Sequence, residues 1–428
     1  AVRLPKIVVF VQALFIYAMF TTTNSQARRI ETHKMPSGFR AAGIASGIKM
    51  NGNPDMALIF SEVETTAAGA FTTNRVAAAP VRLSKKVLAS GSCRAVIVNS
   101  GCANTCTGVQ GEADAERMAR LTAKGLAIDP GVVVVCSTGH IGKLLPMKNI
   151  EAGIAGLTGI ISDGGNDSAG NAIMTTDTHP KQAAVEFEIR GRTCRLWGIA
   201  KGAGMIYPRM KVDDLPHATM LVFLATDLDV EASLLRYALD RSLNQSFNRI
   251  TVDGDTSTND TVILMANGSS GVKIDADTPA AEWFQEALDY LTRELALMIV
   301  ADGEGATKLI KIEVRSAATR SDARIAADAV ANSLLLKCAI YGETPNWGRL
   351  LAALGYSGAE IDERKITVSL DGVEIIRNGL VREIPEQTIA GKMNESRLTF
   401  LIDLGLGNEH DFYYTCDISP EYVDINKC

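Results

Sequence analysis

Lys201 to Asp227 reads KGAGMIYPRMKVDDLPHATMLVFLATD, and this stretch at the middle of the 428-residue chain decides the fold. A glycine-broken loop and a proline-bearing segment lead into Ala218-Thr219. Thr219 then opens the apolar run Met220-Leu221-Val222-Phe223-Leu224-Ala225. An uninterrupted run of that length, bounded by Thr226-Asp227, predicts a buried strand. A threonine at the mouth of a core strand is held rigidly. Were the bond before it cut, its new amine would stand beside its own hydroxyl and serve as the base for a nucleophile. Taken locally, the same pattern equally describes a β-branched residue in its preferred setting.

On the upstream side, Met56 to Val63 and Ala67 to Phe71 read as strands separated by a turn. Arg94 to Asn99 reads as a buried strand ending in Ser100-Gly101. Gly111 to Leu126 reads as a helix with Ala115, Met118, Ala119, Thr122 and Leu126 along one stripe. Val132 to Cys136 is a second buried strand, and the strand–helix–strand alternation predicts an α/β fold. Val185 to Ile199 alternates about Gly191 as a hairpin does. Downstream, Ser233 to Phe247 and Trp283 to Val300 carry helical apolar stripes, and Lys365 to Ile376 predicts a hairpin turning at Asp371-Gly372. Phe400 to Leu404 and Phe412 to Cys416 read as short strands. No composition break separates the halves, so they are expected to share packing.

Charge narrows the function. The chain carries −6 overall and −10 from residue 35 onward, which argues against a nucleic-acid groove or an anionic membrane surface as the main partner. A small polar substrate fits better. The eight cysteines are scattered and several lie in apolar runs, so they read as reduced core thiols. Cys102 and Cys106 sit four apart with no partner pair at metal-site spacing, and no metal is expected. Ile7 to Phe20 is a fourteen-residue apolar run after Arg3 and Lys6, and the first thirty residues hold no acid. Its length suits a signal-peptide core better than a membrane span, its composition suits a transit peptide, and an upstream extension from a wrongly chosen start is a third reading. Residues 1–34 are set apart from the fold on these grounds. The body is expected to be cytoplasmic, with targeting or export left open by that segment.

Several short motifs suit acyl-transfer chemistry. Thr138-Gly139 follows a buried strand, where a turn offers the fixed donors that an oxyanion hole needs, or simply ends the strand. His140 beside it is as readily a solvated loop residue as a base. Asn171 to Thr178, NAIMTTDT, suits hydrogen bonds to an amino acid or a capped turn. Thr251 to Thr261, TVDGDTSTNDT, lacks the spacing and terminal Glu of a calcium loop and reads as a hydrogen-bonded structural loop. Glu304, between two glycines in DGEGATK, reaches a substrate ammonium or is a solvated acid at a helix end.

Thr138-Gly139, MTTDT, KGAGM, ATML, DGDTSTNDT, DGEGATK, Pro345-Asn346-Trp347-Gly348-Arg349 and Tyr422-Val423-Asp424-Ile425-Asn426 occur in that order. Together they closely resemble the ornithine acetyltransferase family, the bifunctional ArgJ proteins of arginine biosynthesis, from about Met35 to Asn426. The resemblance implies a layered α/β sandwich of the DmpA/ArgJ type and an N-terminal-nucleophile enzyme. Self-cleavage between Ala218 and Thr219 would leave an α chain, 35–218, and a β chain, 219–428, intertwined as an α₂β₂ assembly. Thr219 would take acetyl from N²-acetylornithine and pass it to glutamate. Thr138 and Gly139 match the oxyanion-hole pair, and Thr175, Lys201, Thr219, Glu304 and Asn426 match substrate-binding positions. No cofactor is implied, although some members also use acetyl-CoA as donor.

The chain departs from the family pattern at three places. Lys211 to His217, KVDDLPH, separates Met210 from Ala218, where the family runs from Met directly into ATML. A longer loop is cheap in closure entropy, but self-cleavage needs tight placement of the scissile carbonyl, so the insertion bears on processing more than on folding. The sequence ends at Cys428, where the family continues to a substrate-binding Thr or Ser. The usual NSGNAN reads Asn99-Ser100-Gly101-Cys102-Ala103-Asn104. Two rival readings follow: an unprocessed relative that binds acetylated amino acids without turnover, and a β-aminopeptidase-like hydrolase. Thr219 disfavours the latter, whose relatives use serine there.

Overall fold

In the computed structural model, which describes residues 28–29, 34–208, 210 and 220–427, the central apolar run forms the strand Leu221–Thr226, buried at every residue. The hairpin Lys181–Ile189 and Arg192–Lys201 lies to one side, and its second strand pairs antiparallel with the central one. On the other side Thr261–Ala266 runs parallel to it, and Thr66–Phe71 closes that edge antiparallel. The two-residue strand Arg28–Arg29 lies at the opposite edge. This six-stranded sheet therefore places two strands from beyond residue 219 between strands from before it. The expectation of shared packing holds.

A second sheet of four strands runs in the order Phe39–Ile44, Met56–Ser61, Ala95–Cys102, Val133–His140. Its last two strands are parallel and joined by the helix Gly108–Leu126, the crossover predicted from sequence. Met56–Ser61 and Thr66–Phe71, neighbours across a short turn, belong to different sheets. The two sheets pack face to face. Val96 and Val134 of one and Trp197, Phe223 and Ile263 of the other share this middle core. The outer face of the central sheet, with Val222, Leu224 and Val262, is covered by Leu235 and Leu239 of the helix Ala232–Leu243 and by Phe284, Leu288 and Leu295 of the helix Pro279–Ala301. The second sheet is backed by Gly108–Leu126 and Met147–Ile160.

The layers run helix, sheet, sheet, helix, as the expected sandwich requires. Because both faces of the central strand are covered, its sequence reads as a continuous apolar run instead of an alternation. Truncating one of its fully buried large side chains, such as Phe223→Ala, costs about 3–5 kcal/mol by transfer and cavity terms together.

The remaining chain forms a third sheet of six strands, with Leu309–Ala317 between Arg397–Asp403 and Glu409–Cys416. The hairpin Thr367–Leu370 and Val373–Arg377 turns at Asp371-Gly372 as predicted. Two buried polar joints fasten this sheet to the sandwich. Arg249 grips Asp411 through two hydrogen bonds of 2.7 and 3.0 Å. Lys337 gives all three protons to neutral acceptors, the Val252 carbonyl at 3.0 Å, the Thr415 hydroxyl at 2.5 Å and the Cys416 carbonyl at 2.6 Å.

The helix expected over Ser233 to Phe247 stops at Leu243. Asn244 turns its amide back to the Asp240 carbonyl, and a separate 3₁₀ turn covers Phe247–Arg249. The seven described cysteines are free thiols. Burial pushes the Cys93 thiol up to about 12 and those of Cys194 and Cys416 up to about 11, as reduced core thiols behave. Among the described residues no helix is long and apolar enough to cross a membrane.

Candidate active site

The mouth of the central strand is defined by backbone pairing. Leu221 stands between Lys201 on one neighbour and Thr261 on the other, and the Thr261 N–H donates to the Met220 carbonyl at 2.9 Å. Lys201, Asp260 and Thr261 therefore surround the point at which the chain enters the strand. Ala218 and Thr219, the expected cleavage pair and nucleophile, lie outside the described residues, as does the Lys211 to His217 insertion. Met220, next in sequence, is buried.

Lys201 ends its strand and is buried. Its pKa is lowered, by burial first; Asp177, Asp260 and Glu304 pull the other way, while Lys181 adds to the lowering. Asp177 is the hub beside it. One carboxylate oxygen accepts from Lys181 Nζ at 2.6 Å and the Gly202 N–H at 2.7 Å. The other accepts from the Thr175 N–H at 2.9 Å and lies 4.0 Å from Lys201 Nζ. Burial works against this carboxylate, yet the charges of Lys181 and Lys201 hold its pKa well below the usual carboxylate range. Lys181 also bonds Asp302 at 2.5 Å, and Asp302 accepts from the Thr178 backbone and hydroxyl. With Asp177, Asp302, Lys181 and Lys201 ionised, this buried set is neutral. Lys49 extends it, donating to the Met174 carbonyl at 2.7 Å just before Thr175.

Glu304 is buried on the far side of the KGAGM loop, not solvated at a helix end. Its N–H donates to the Ala203 carbonyl at 2.9 Å, and its carboxylate accepts from Asn426 Nδ2 at 2.6 Å. Gly204 makes this approach feasible, since a Cβ there would stand 2.3–2.4 Å from the Glu304 carboxylate atoms. The C-terminal helix Pro420–Asn426 is fixed in place by Ser419 Oγ, which donates to the Gly305 carbonyl at 2.7 Å, and by Tyr422 OH, 3.4 Å from Asp253. A buried cation and a buried carboxylate thus flank the strand mouth, complementary to the two charges of an amino acid.

Thr138 and Gly139 close the last strand of the second sheet, beside Ser100 and Gly101 of its parallel neighbour. Gly139 has φ +125, and a Cβ there would sit 2.4 Å from the Gly101 carbonyl carbon, so only glycine lets the two backbones approach. Asn99 Oδ1 accepts from the Ser137 hydroxyl at 2.7 Å, so the NSGCAN variant still braces this turn. His140 is exposed, in line with the solvated alternative.

The structure therefore gathers the predicted residues into two groups. Thr175, Lys201, Glu304 and Asn426 form one network around Asp177 and the KGAGM loop, while Thr138 and Gly139 lie on the facing sheet. Sequence reading missed the hub role of Asp177, and it missed Lys49, Asn259 and Asp260. Asp260 is fully buried with neither carboxylate oxygen partnered among the described residues, and burial raises its pKa well above the usual range against the pull of Lys201. The acidic, threonine-rich look of TVDGDTSTNDT was the only signal for it. Among the described residues no group of three or more His, Cys, Asp and Glu side chains could hold a metal.

The profile of the ArgJ family matches residues 40–428. The chain is 47% identical over 394 residues to the arginine biosynthesis bifunctional protein ArgJ of Symbiobacterium thermophilum, covering 91% of this chain and 96% of that protein. It is 44% identical over 401 residues to the glutamate N-acetyltransferase of Methanocaldococcus jannaschii, covering 91% and 96%. A solved chain of ornithine acetyltransferase from Mycobacterium tuberculosis, complexed with ornithine, is 42% identical with a TM-score of 0.41 and covers 43% of this chain and 99% of that one.

Proposed function

The chain belongs to the ArgJ family, and from that premise we propose that it is a glutamate N-acetyltransferase that moves acetyl from N²-acetylornithine to glutamate through an acetyl ester of Thr219. The observation that carries the reading is the pair of opposite buried charges, Lys201 and Glu304 with Asn426, flanking the strand that opens directly after Thr219.

In this proposal the Ala218–Thr219 bond is hydrolysed by the chain itself, which frees the Thr219 amine. That amine takes the hydroxyl proton as Thr219 Oγ attacks the acetyl carbonyl, and returns it to the departing ornithine nitrogen. Thr138 and Gly139 stabilise the tetrahedral oxyanion. The amine of glutamate then attacks the ester, and Thr219 Oγ leaves with the proton. Lys201 and Thr175 receive the substrate carboxylate, and Glu304 with Asn426 receives an ammonium. The products of cleavage, 35–218 and 219–428, stay together and pair as α₂β₂. No cofactor enters these steps. Acetyl-CoA is proposed as a second donor to the same threonine.

Labelled acetylornithine incubated with glutamate should yield labelled acetylglutamate, and exchanging the donor for acetyl-CoA reads the second activity. Fragment masses and N-terminal sequencing should place Thr219 first in the downstream chain, 219–428. Thr219→Ala should remain one chain and be inactive, with Thr219→Ser retaining part of both functions. A wild-type chain that stays full-length for days yet binds acetylornithine would establish the unprocessed binding relative instead. Peptide hydrolysis without acetyl exchange would establish the aminopeptidase-like reading.

A further inference from the structure

The oxyanion turn is not held by its own sheet alone. Asn259, buried just ahead of the strand Thr261–Ala266, uses all four hydrogen-bonding positions of its amide. Its Nδ2 donates to the Ala103 carbonyl at 2.6 Å and the Ser137 carbonyl at 2.8 Å. Its Oδ1 accepts from Thr105 Oγ1 at 2.7 Å and Thr258 Oγ1 at 2.6 Å. Three of these partners belong to the upstream half, and Ser137 is bonded directly to Thr138.

The other end of the bridge is as well defined. Thr261 pairs with Leu221 and grips the Met220 carbonyl. Asn259 precedes Thr261 by two residues, as Thr219 precedes Leu221. One side chain therefore ties the peptide before the Thr138–Gly139 turn to the element that fixes the strand mouth. Only an amide suits this position, because two carbonyl oxygens need donors while two hydroxyls need an acceptor. A carboxylate would face the carbonyls with no proton to give, and an apolar isostere would deprive both carbonyls of their Nδ2 donor, although the Thr105 and Thr258 hydroxyls, 3.0 Å apart, could still bond each other.

We propose that Asn259 is a positioning residue for acyl transfer. It sets the separation between the Thr138–Gly139 donors and the strand mouth, and touches no substrate itself. The inference rests on the acyl-transfer reading above. A tie that served only to hold the fold would, when weakened, lower the melting temperature and leave the rate per folded enzyme and its pH profile unchanged. A positioning tie acts on the transition state, because oxyanion donors must be placed to within about an ångström.

The test is Asn259→Asp in the full chain, assayed for acetyl exchange against the wild type, with melting curves and gels on the same samples. The expected result is a kcat lowered about 100-fold at pH 8, the scale of a lost or misplaced oxyanion donor, with KM for acetylornithine within threefold. The variant should regain rate relative to wild type as the pH falls, because the introduced carboxyl recovers one donor once it is protonated. An uncut Asn259→Asp precursor that melts like wild type supports the same role, since self-cleavage passes through a similar tetrahedral oxyanion. Thr105→Val, which removes one partner of Oδ1 and leaves the Nδ2 donors, covers failure of the first variant to fold; it should show a several-fold loss confined to kcat. Rates within threefold of wild type with an unchanged pH profile, or a loss wholly in KM, overturn the proposal. A wild-type chain that exchanges no acetyl overturns the acyl-transfer reading itself.

Discussion

Replacing Asp177 by Asn tests whether the buried charge network holds the site together. The substitution keeps the shape but removes a charge from a neutral set of two cations and two anions, leaving a net positive charge in a dry place. Asn has one acceptor oxygen where Asp177 uses two, for Lys181, Gly202 and Thr175. The new amide N–H₂ must therefore face at least one donor. Breaking a buried ion pair from one side costs about 3–5 kcal/mol, and the surviving Lys181–Asp302 bond places the loss near the lower end. With an unfolding entropy of ~2.1 cal/mol/K per residue, a chain of this size has ΔS of ~0.9 kcal/mol/K, so the melting temperature should fall by about 3–4 °C.

The pH dependence gives a second, independent reading. The Asp177 pKa is lower in the folded chain than in the unfolded one, so its stabilisation is complete above the unfolded value of about 3.9 and fades as the pH falls through the folded value. Differential scanning calorimetry from pH 3 to 8 should therefore show the largest gap between variant and wild type near neutrality and a narrowing gap below pH 4. A variant that melts within 1 °C of wild type throughout this range would refute the reasoning, and would mean that the network is neutral in its net effect.

Other outcomes follow from the same geometry. Asp260→Asn should stabilise the protein at pH 7. The raised pKa of Asp260 means that stability is lost as pH climbs from the unfolded value toward the folded one, at about 1.4 kcal/mol per pH unit, so the gain should vanish toward pH 4 in chemical denaturation. Gly204→Ala should raise KM for acetylornithine about tenfold, since the added methyl overlaps the Glu304 carboxylate and overpacking costs about 1–3 kcal/mol. Lys201 is cationic only below its lowered pKa, so affinity for acetylornithine should weaken as pH rises, starting below the ordinary lysine value of about 10.4. Lys201→Met should abolish that alkaline limb together with most of the affinity.

Much of the sandwich was legible because both faces of its central strand are covered, which writes the strand as one apolar block. The crossover Ala95–Cys102, Gly108–Leu126, Val133–His140 showed itself through a change of period from strand to helix. The third sheet was harder. Its helix Arg320–Ala331 buries four alanines and one valine, which give a weak stripe, its helix Trp347–Tyr356 is short, and its strand Leu309–Ala317 alternates with charged residues that pair at the surface.

The ordered motifs named Thr175, Lys201, Glu304 and Asn426 as candidates, which the structure brings together, but not what binds them to one another. Asp177 lay within a threonine-rich stretch that suited a capped turn equally well. Its partners at Lys181 and Gly202 come from the next hairpin, and Asp302 comes from 121 residues beyond Lys181. Asn259 and Asp260 occupy adjacent positions with opposite fates, one fully bonded and one unpartnered, and no local pattern separates them.

The interleaving of the central sheet bears on what the proposed cut before Thr219 would do to the molecule. Neither piece would own the whole central sheet, because Leu221–Thr226 and Thr261–Ala266 lie between Arg192–Lys201 and Thr66–Phe71. Before the cut, refolding is unimolecular and independent of concentration. After it, recovery from full unfolding would become a bimolecular encounter whose rate falls with dilution. Scission would thus convert a reversible equilibrium into a practically one-way loss at low enzyme concentration, and the age of the polypeptide bond at Thr219 would set how well the protein survives heat.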